Sequence, residues 1–240
     1  MRSQTALRSV DQPGVPWRLS SPYIFKSSRW SSHSRILEHA ARLPRGARVL
    51  DVGGGEGFLS ARLRDMGHDV VCLAEPGTVA AGFPSGVRVI EADLNRLRPV
   101  LNTQFDLVVC GDVLEHLVDP ADTLRWLTGL LATDGVIVGS LPNGVHLYVR
   151  VHVLMGRFPK HDRGLFDRTH LHFFSLQGWR ELFEACGLEF AGIDVTPLPL
   201  SLVLPAPIGN SLEHLALAAA LIWKRLLAYQ FIVTTRPVRS

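Results

Sequence analysis

A short apolar run at 47–52 passes directly into Gly53-Gly54-Gly55-Glu56-Gly57 and then into a helical pattern at about 57–66. Three glycines alternating between a strand and a helix start constrain this chain more than any other feature. Glycine adopts positive φ without steric cost and lets a ligand approach the backbone where a Cβ would otherwise stand. The helix start presents unpaired N–H groups and the positive end of the helix dipole, so Gly53, Gly55 and Gly57 predict an anionic guest, for which a carboxylate suffices. A dinucleotide loop needs G-x-G-x-x-G. Counted from Gly53 the third position is Phe58, and counted from Gly55 it is Ser60, so a nicotinamide-dependent oxidoreductase is excluded. Asp51 stands two residues before the first glycine and is expected to hold a ligand ammonium, directly or through water.

The pattern then repeats. Strand-like runs at 47–52, 69–74, 87–90, 105–110, 136–141, 188–195 and 230–234 are separated by helical patterns at 57–66, 120–131, 176–186 and 211–228, after an opening amphipathic helix at 33–43. The run at 105–110 is almost continuously apolar, as expected of a strand buried on both faces. This alternation predicts an α/β fold with a mostly parallel sheet covered by helices on both sides. Acids fall at the next two strand ends. Glu75 follows the second strand, where a carboxylate accepts from ribose hydroxyls; Asp93, beside Leu94, follows the third, where it can accept from an adenine amino group.

These residues resemble the class I S-adenosylmethionine-dependent methyltransferases over roughly 33–195. Val49-Leu-Asp51-Val-Gly-Gly-Gly-Glu-Gly57 is similar to their first motif, Glu75 to the second, Asp93 to the third, and Phe105-Asp-Leu-Val-Val-Cys-Gly-Asp-Val-Leu-Glu-His116 to the fourth. The resemblance implies a Rossmann-like sheet of seven strands with the seventh antiparallel, S-adenosylmethionine as cofactor, Val113 and Leu114 flanking it, and Asp112 pointing toward the reacting methyl. Many members carry Cys or Ser where this chain has Gly54, with no consequence for binding expected. The branch implied is the small-molecule one, similar to ubiquinone-pathway enzymes and to methyltransferases of bacterial biosynthetic clusters.

A sulfonium methyl is already activated, so such an enzyme must align nucleophile and methyl and exclude water. A base is needed only when the nucleophile loses a proton. Candidates are Asp112, Glu115, His116, His146, His170 and His172, with His116 favoured because it follows the cofactor-lining strand. The segment Asp112-Val-Leu-Glu115-His116 also resembles the acid-x-x-acid-His spacing with which some O-methyltransferases ligate a divalent cation. That makes Asp112, Glu115 and His116 an alternative metal site, completed by His146 or His170, although Asp112 stands where those enzymes have Glu.

After Pro142 the rhythm breaks. The stretch 143–175 carries five histidines and Arg150, Arg157, Lys160, Arg163 and Arg168 against Asp162 and Asp167. It follows the fifth strand at the carboxyl edge of the sheet, where ligands bind. Arg150, Arg168 and His172 are expected to take an anionic acceptor, and Tyr23, Phe25 and Trp30 of the N-terminal segment 1–32 to complete a lid. Gly164-Leu-Phe-Asp167-Arg168-Thr169-His170-Leu-His172-Phe-Phe174-Ser175 resembles a signature of the biosynthetic-cluster branch. One methyltransferase domain is expected over 33–240, with a substrate insert at 143–175 and an apolar helical insertion at 196–228.

The formal charge is +3 with scattered arginines, so a nucleic-acid acceptor is not the first expectation. Cys72, Cys110 and Cys186 have no metal spacing and read as buried reduced thiols of a cytoplasmic protein; no signal peptide is evident. The uncharged run 215–223 is far short of the ~20 residues that span a bilayer, leaving core packing, peripheral membrane contact or a homodimer surface for that helix. The expected function is O-methylation of a small biosynthetic intermediate, such as a secondary metabolite, sugar or quinone-like acceptor. The alternatives are an RNA or protein methyltransferase and a non-catalytic cofactor-binding scaffold.

Overall fold

The computed structural model describes residues 28–79, 82–202 and 204–238; Tyr23 and Phe25 lie outside them. Seven strands form one sheet in the order β3-β2-β1-β4-β5-β7-β6. They are β1 (Arg48–Val52), β2 (Asp69–Ala74), β3 (Arg88–Glu91), β4 (Phe105–Gly111), β5 (Leu131–Pro142), β6 (Leu188–Thr196) and β7 (Gln230–Pro237). The first five pair in parallel, and β7 runs antiparallel to both β5 and β6.

The near-continuous apolar strands follow from burial on both faces. Val49, Val70, Leu107, Val109 and Val138 face α1 (Ser32–Ala40) and α2 (Phe58–Asp65), through Ile36, Ala40, Leu59 and Leu63. The alternate residues Leu50, Leu73, Val108, Cys110 and Ile137 face the other layer. That layer supplies Leu124 and Leu127 of α3 (Pro120–Gly129), Trp179 and Phe183 of α5 (Leu176–Glu184), and Leu217 and Ala220 of α6 (Ala206–Ile222). Helix starts are set by side-chain caps: Ser31, Asp119 and Ser175 accept from the amides of Ser34, Asp122 and Gly178.

Three local differences from the sequence expectation have physical causes. The helix expected at 120–131 ends at Gly129, and β5 begins at Leu131, because the amide of Phe105 donates to the Leu130 carbonyl (2.8 Å) and draws that residue into sheet pairing. The stretch 143–175 contains a helix the histidine-rich sequence does not suggest, α4 (Leu147–Leu154), capped at its start by His146. The apolar helix begins earlier than 211, with Pro207 in its first turn where a missing N–H costs nothing. It breaks at Trp223, whose φ and ψ of −132° and 70° are not helical, into the short α7 (Lys224–Leu227).

Trp179 anchors α5 under the site. Its ring is fully buried, and its Nε1 donates to the Pro142 carbonyl at the end of β5 (3.1 Å). Trp179→Ala is expected to cost about 3–5 kcal/mol, the usual range for emptying a buried aromatic site. Trp179→Phe, which keeps most of the volume but leaves that carbonyl unpaired, should cost about 1–3 kcal/mol. Denaturant unfolding of both variants checks the order.

Candidate active site

The parallel strands all end at one edge, and the loops that leave them carry the candidate residues. The glycine loop is pinned to β2, since the amides of Gly53 and Gly54 both donate to the Leu73 carbonyl (2.8 and 3.2 Å). Gly53, Gly55 and Gly57 have φ of 71°, 51° and 80°. A Cβ at Gly53 would lie 2.5 Å from Val113 Cγ2, so this turn and the turn after β4 fit together only because one of them has no side chain. A Cβ at Gly55 would meet nothing nearer than the Gly53 carbonyl oxygen, at 3.9 Å.

Asp51 has partners of its own within the fold. It is almost fully buried beneath the loop, and Ser60 of α2 donates to it through its hydroxyl (2.5 Å) and its amide. The N-cap residue of α2, Gly57, has no side chain, so Asp51 supplies the capping acceptor from β1. Burial pushes its carboxyl up to about 6, against the lowering effect of Ser60.

Gly54 also has a structural reason. A Cβ there would collide with the Cys72 sulfur and stand 2.8 Å from Asp51 Oδ2. The thiol of β2 occupies the volume that a side chain at position 54 would need, and burial pushes that thiol up to about 12, so it stays protonated.

Glu75 stands exposed at the end of β2. Asp93 follows β3, accepts from the Asn95 amide (2.9 Å) and pairs with Arg96 (3.1 Å), while Leu94 is buried in the core beneath. The cradle fits S-adenosylmethionine on this chain's own features: strand-end carboxylates at Glu75 and Asp93, and glycine backbone at positive φ where a ligand must pass closely.

Beyond β4 lies a cavity of about 620 Å³, lined by Asp112, Glu115, His116, His170, Arg168, Tyr229, Gln230, Glu213 and Trp30 among others. Asp112 enters it with φ of 56°, the one positive φ of a non-glycine residue among those described. Its carboxylate accepts from the Ser140 hydroxyl and from Gln230 Nε2 (2.6 Å). Asp112 is thus tied to β5 and β7, and it lines the same cavity as Glu115 and His116.

Glu115, His116 and His170 do meet, with one ligand atom from each lying within 4.8 Å of the others. Glu115 Oε1 is 3.9 Å from His170 Nε2, and the two imidazoles stand 4.8 Å apart, centroid to centroid. The backbone holds this pairing, because the Glu115 carbonyl accepts from the amides of Leu171 and His172. His116 Nδ1 faces the carbonyl and hydroxyl of Thr169 (3.2 and 3.1 Å), and that hydroxyl donates to Asp167 (2.5 Å). This places the Nδ1 proton of His116 toward Thr169 and leaves Nε2 as the lone-pair nitrogen. Burial and the neighbouring His116 push His170 down to about 4, so it is neutral near pH 7.

Other candidates are placed elsewhere. His146 caps α4, accepting from the Tyr148 amide (3.0 Å), and lies outside the cavity lining. His172 is bonded to the Leu117 carbonyl (2.9 Å) and stacked on Phe174. Arg150 lies on exposed α4 and donates to the Val145 carbonyl (2.7 Å). Arg168 reaches the cavity but is paired with Asp162. Sequence reasoning missed Thr169 and Asp167 as partners of His116, Gln230 and Ser140 as partners of Asp112, and Glu213 and Tyr229 as cavity walls. Only tertiary contact connects these, across sequence separations of 28 to 118 residues for the bonded pairs to His116 and Asp112.

Fold, glycine cradle and strand-end acids together define a class I S-adenosylmethionine-dependent methyltransferase. Residues 27–191 match the family model described as a methyltransferase domain, and the chain belongs to that family. It is 29% identical over 117 residues to the tRNA 5-carboxymethoxyuridine methyltransferase of Escherichia coli K12, covering 45% of this chain and 44% of that protein. It is 36% identical over 115 residues to the ubiquinone biosynthesis O-methyltransferase of Bordetella avium, covering 45% and 47%. The chain thus spans just under half the length of these curated relatives. The ubiquinone biosynthesis O-methyltransferase of Aeromonas salmonicida is 29% identical over 168 residues, covering 64% and 68%. Among solved structures, the fold is shared with the methyltransferase in a Haloferax volcanii complex with the Trm112 activator (TM-score 0.59, 19% identity, 86% and 91% covered). It is also shared with an S-adenosylmethionine-dependent methyltransferase of Mesorhizobium loti (TM-score 0.57, 17% identity, 85% and 98% covered).

Two outcomes are expected at the cradle. Gly54→Cys should lower the melting temperature and weaken S-adenosylmethionine binding, and adding Cys72→Ala should recover most of both; calorimetry of the single and double variants checks this. Because the folded-state value of Asp51 is raised, its contribution to stability is fully present below the ordinary value of 3.8 and is lost as pH rises through about 6. A cationic ligand stabilises the ionised form, so affinity for S-adenosylmethionine should fall by up to about tenfold for each pH unit below 6. Asp51→Asn should abolish that pH dependence while keeping the unfolding temperature at pH 7.5 at or above the parent's, as isothermal titration and thermal scans will read.

Proposed function

We propose that this methyltransferase transfers the methyl group to a hydroxyl of a small molecule seated in the cavity beyond β4. The observation that carries the reading is His116 at the cavity wall, with its Nδ1 engaged by Thr169 and backed by Asp167, so that Nε2 is the basic nitrogen. S-adenosylmethionine, when bound, supplies a sulfonium-activated methyl group. What the chain must then do is hold an acceptor oxygen in line, take its proton and keep water out. His170, held near 4, has too little proton affinity to serve as base at neutral pH. Burial and the charges of Asp112 and Asp167 push the Tyr229 phenol up to about 12, so it donates a hydrogen bond and does not abstract a proton. His116 is left as the general base. Ubiquinone biosynthesis O-methyltransferases among the relatives support an oxygen acceptor.

The cavity argues for a neutral, hydroxylated acceptor more than for an anionic one. Asp112, Glu115, Asp162, Asp167 and Glu213 line it against Arg163 and Arg168, and Arg168 is already paired with Asp162. An added phosphate or carboxylate would meet more negative than positive charge. A divalent cation at Glu115, His116 and His170 is a second reading, favoured by the convergence of their ligand atoms. The fit is chemically sound, since His170 is neutral and the second nitrogen of His116 is oriented by Thr169. A cation there would lower the pKa of an acceptor hydroxyl.

His116→Ala should reduce methyl transfer to a catechol acceptor by about 10²- to 10⁴-fold, the range for a lost general base, with S-adenosylmethionine affinity unchanged. Catechol turnover with radiolabelled donor, measured before and after verified metal removal, separates the two readings. Unchanged rates leave His116 acting alone, and a loss restored by Mg²⁺ or Zn²⁺ assigns the cation. Retention of full activity in His116→Ala would overturn both.

A further inference from the structure

The surfaces beside the acceptor cavity show two concentrations of exposed apolar side chains. Helix α4 leaves Leu147, Val151, Leu154, Met155 and, just beyond it, Phe158 in solvent, with Leu154 86% exposed. The spacing of four, three and one puts the helical members on one face of the helix. Among the residues of α4, only Val149 is buried. The second concentration is the end of α6, where Leu215, Leu221, Ile222 and Trp223 are exposed, with Ile222 at 88%. The two are joined. Asn143, just before α4, donates through Nδ2 to the carbonyls of Arg225 and Ala228 at α7 (3.3 and 2.8 Å), and the His146 ring lies against Tyr229 (6.4 Å between centroids).

Cations border this surface. Arg150, Arg157 and Lys160 are exposed along and after α4, and Lys224 and Arg225 follow Trp223. The stretch 143–175 places Arg163 and Arg168 at the acceptor cavity together with both of its acids, and leaves Arg150, Arg157 and Lys160 on this surface. Its acids are engaged, Asp162 by Arg168 and Asp167 by Thr169. Arg157 shares a surface cleft with Tyr148 and Phe158, so a guanidinium and two aromatic rings meet at one opening.

We propose that this face docks peripherally on an anionic lipid bilayer, with α4 and the end of α6 entering the headgroup boundary. The chemistry selects that occupant. An apolar helical face with flanking cations and boundary aromatics is what an anionic interface takes up. A second copy related by a two-fold axis would bring the same cations against each other. A phosphate backbone would leave Leu154 and Ile222 in water. No described helix is long and apolar enough to cross a membrane, so the contact is with the surface only. Both segments also build the acceptor cavity. The loop after α4 contributes Leu165 and His170, and α6 contributes Glu213, so docking would bring the cavity to the bilayer.

The full chain, incubated with phosphatidylcholine vesicles and with vesicles containing 30% phosphatidylglycerol as a stated composition, is sedimented at low and at high salt. The expected result is partition to the anionic vesicles alone, reduced by salt. Charge reversal by Arg157→Glu with Lys160→Glu should weaken it by about tenfold or more, and so should Leu154→Glu with Ile222→Glu. S-adenosylmethionine affinity and turnover of a soluble catechol serve as fold controls and are expected to stay at parent values in all variants. Equal partition to both vesicle types, or to neither, overturns the proposal, as does full binding by either double variant. A dimer in size-exclusion chromatography that disappears in Leu154→Glu with Ile222→Glu would also overturn it and assign the face to a second copy.

Discussion

The turns after β1 and β4 approach so closely that the space between them admits only one side chain. Val113 takes it, and Gly53 yields it: a Cβ at position 53 would stand 2.5 Å from Val113 Cγ2. One strand further out the same crowding recurs, with Cys72 filling what position 54 leaves empty. Parallel strands of one sheet end at one edge, and β2 and β4 are the direct hydrogen-bonded neighbours of β1, so the turns that leave them start about 5 Å apart. From this follow the bare backbone of the cradle, the burial of Asp51 under it, and the capping of α2 by a carboxylate from β1 instead of by its own N-cap residue.

The acceptor side is organised by polar contacts that cross the fold. Asp112 adopts a left-handed conformation that a non-glycine residue rarely takes. It is held there by its amide bond to the Ser140 carbonyl (3.2 Å) and by Ser140 and Gln230 at its carboxylate. Glu115 receives the loop at 171–172 on its backbone, and this seats His170 beside His116. The positive φ of Asp112 and the burial of Glu115 fall together at the cavity proposed for the acceptor, as expected when a site is over-determined by its surroundings.

Much of the architecture was legible in the residues. Strand runs at 69–74 and 105–110 and the helical patterns at 33–43 and 176–186 rest on a local signal, apolar periodicity. The glycine loop with Glu75 and Asp93 gave the cofactor class for the same reason, since each residue sits at the end of its own strand. Helix α4 was hidden because β-branched Val149, Val151 and Val153 and two histidines give no helical signal, and its apolar face is exposed instead of buried. The motif Asp112-Val-Leu-Glu115-His116 was read as one unit, and its three polar residues do line one cavity, each with different partners. The positive φ of Asp112 turns its carboxylate to β5 and β7, while Glu115 and His116 lie on the following turn of 3-10 helix.

The sequence by itself determined the class of cofactor, because alternating glycines and acids at successive strand ends are a local pattern, although the glycine turn also fits against Val113 and Cys72 of neighbouring segments. The tertiary structure alone decided which histidines share a site. His116 and His170 are 54 positions apart, yet their rings stand 4.8 Å from each other, whereas His146 and His172, equally polar and close in sequence to His170, are consumed by a helix cap and a carbonyl. A side chain's chemistry is fixed by its type, but its role depends on which groups reach it first, and those are supplied by the packing of the insert against the turn after β4.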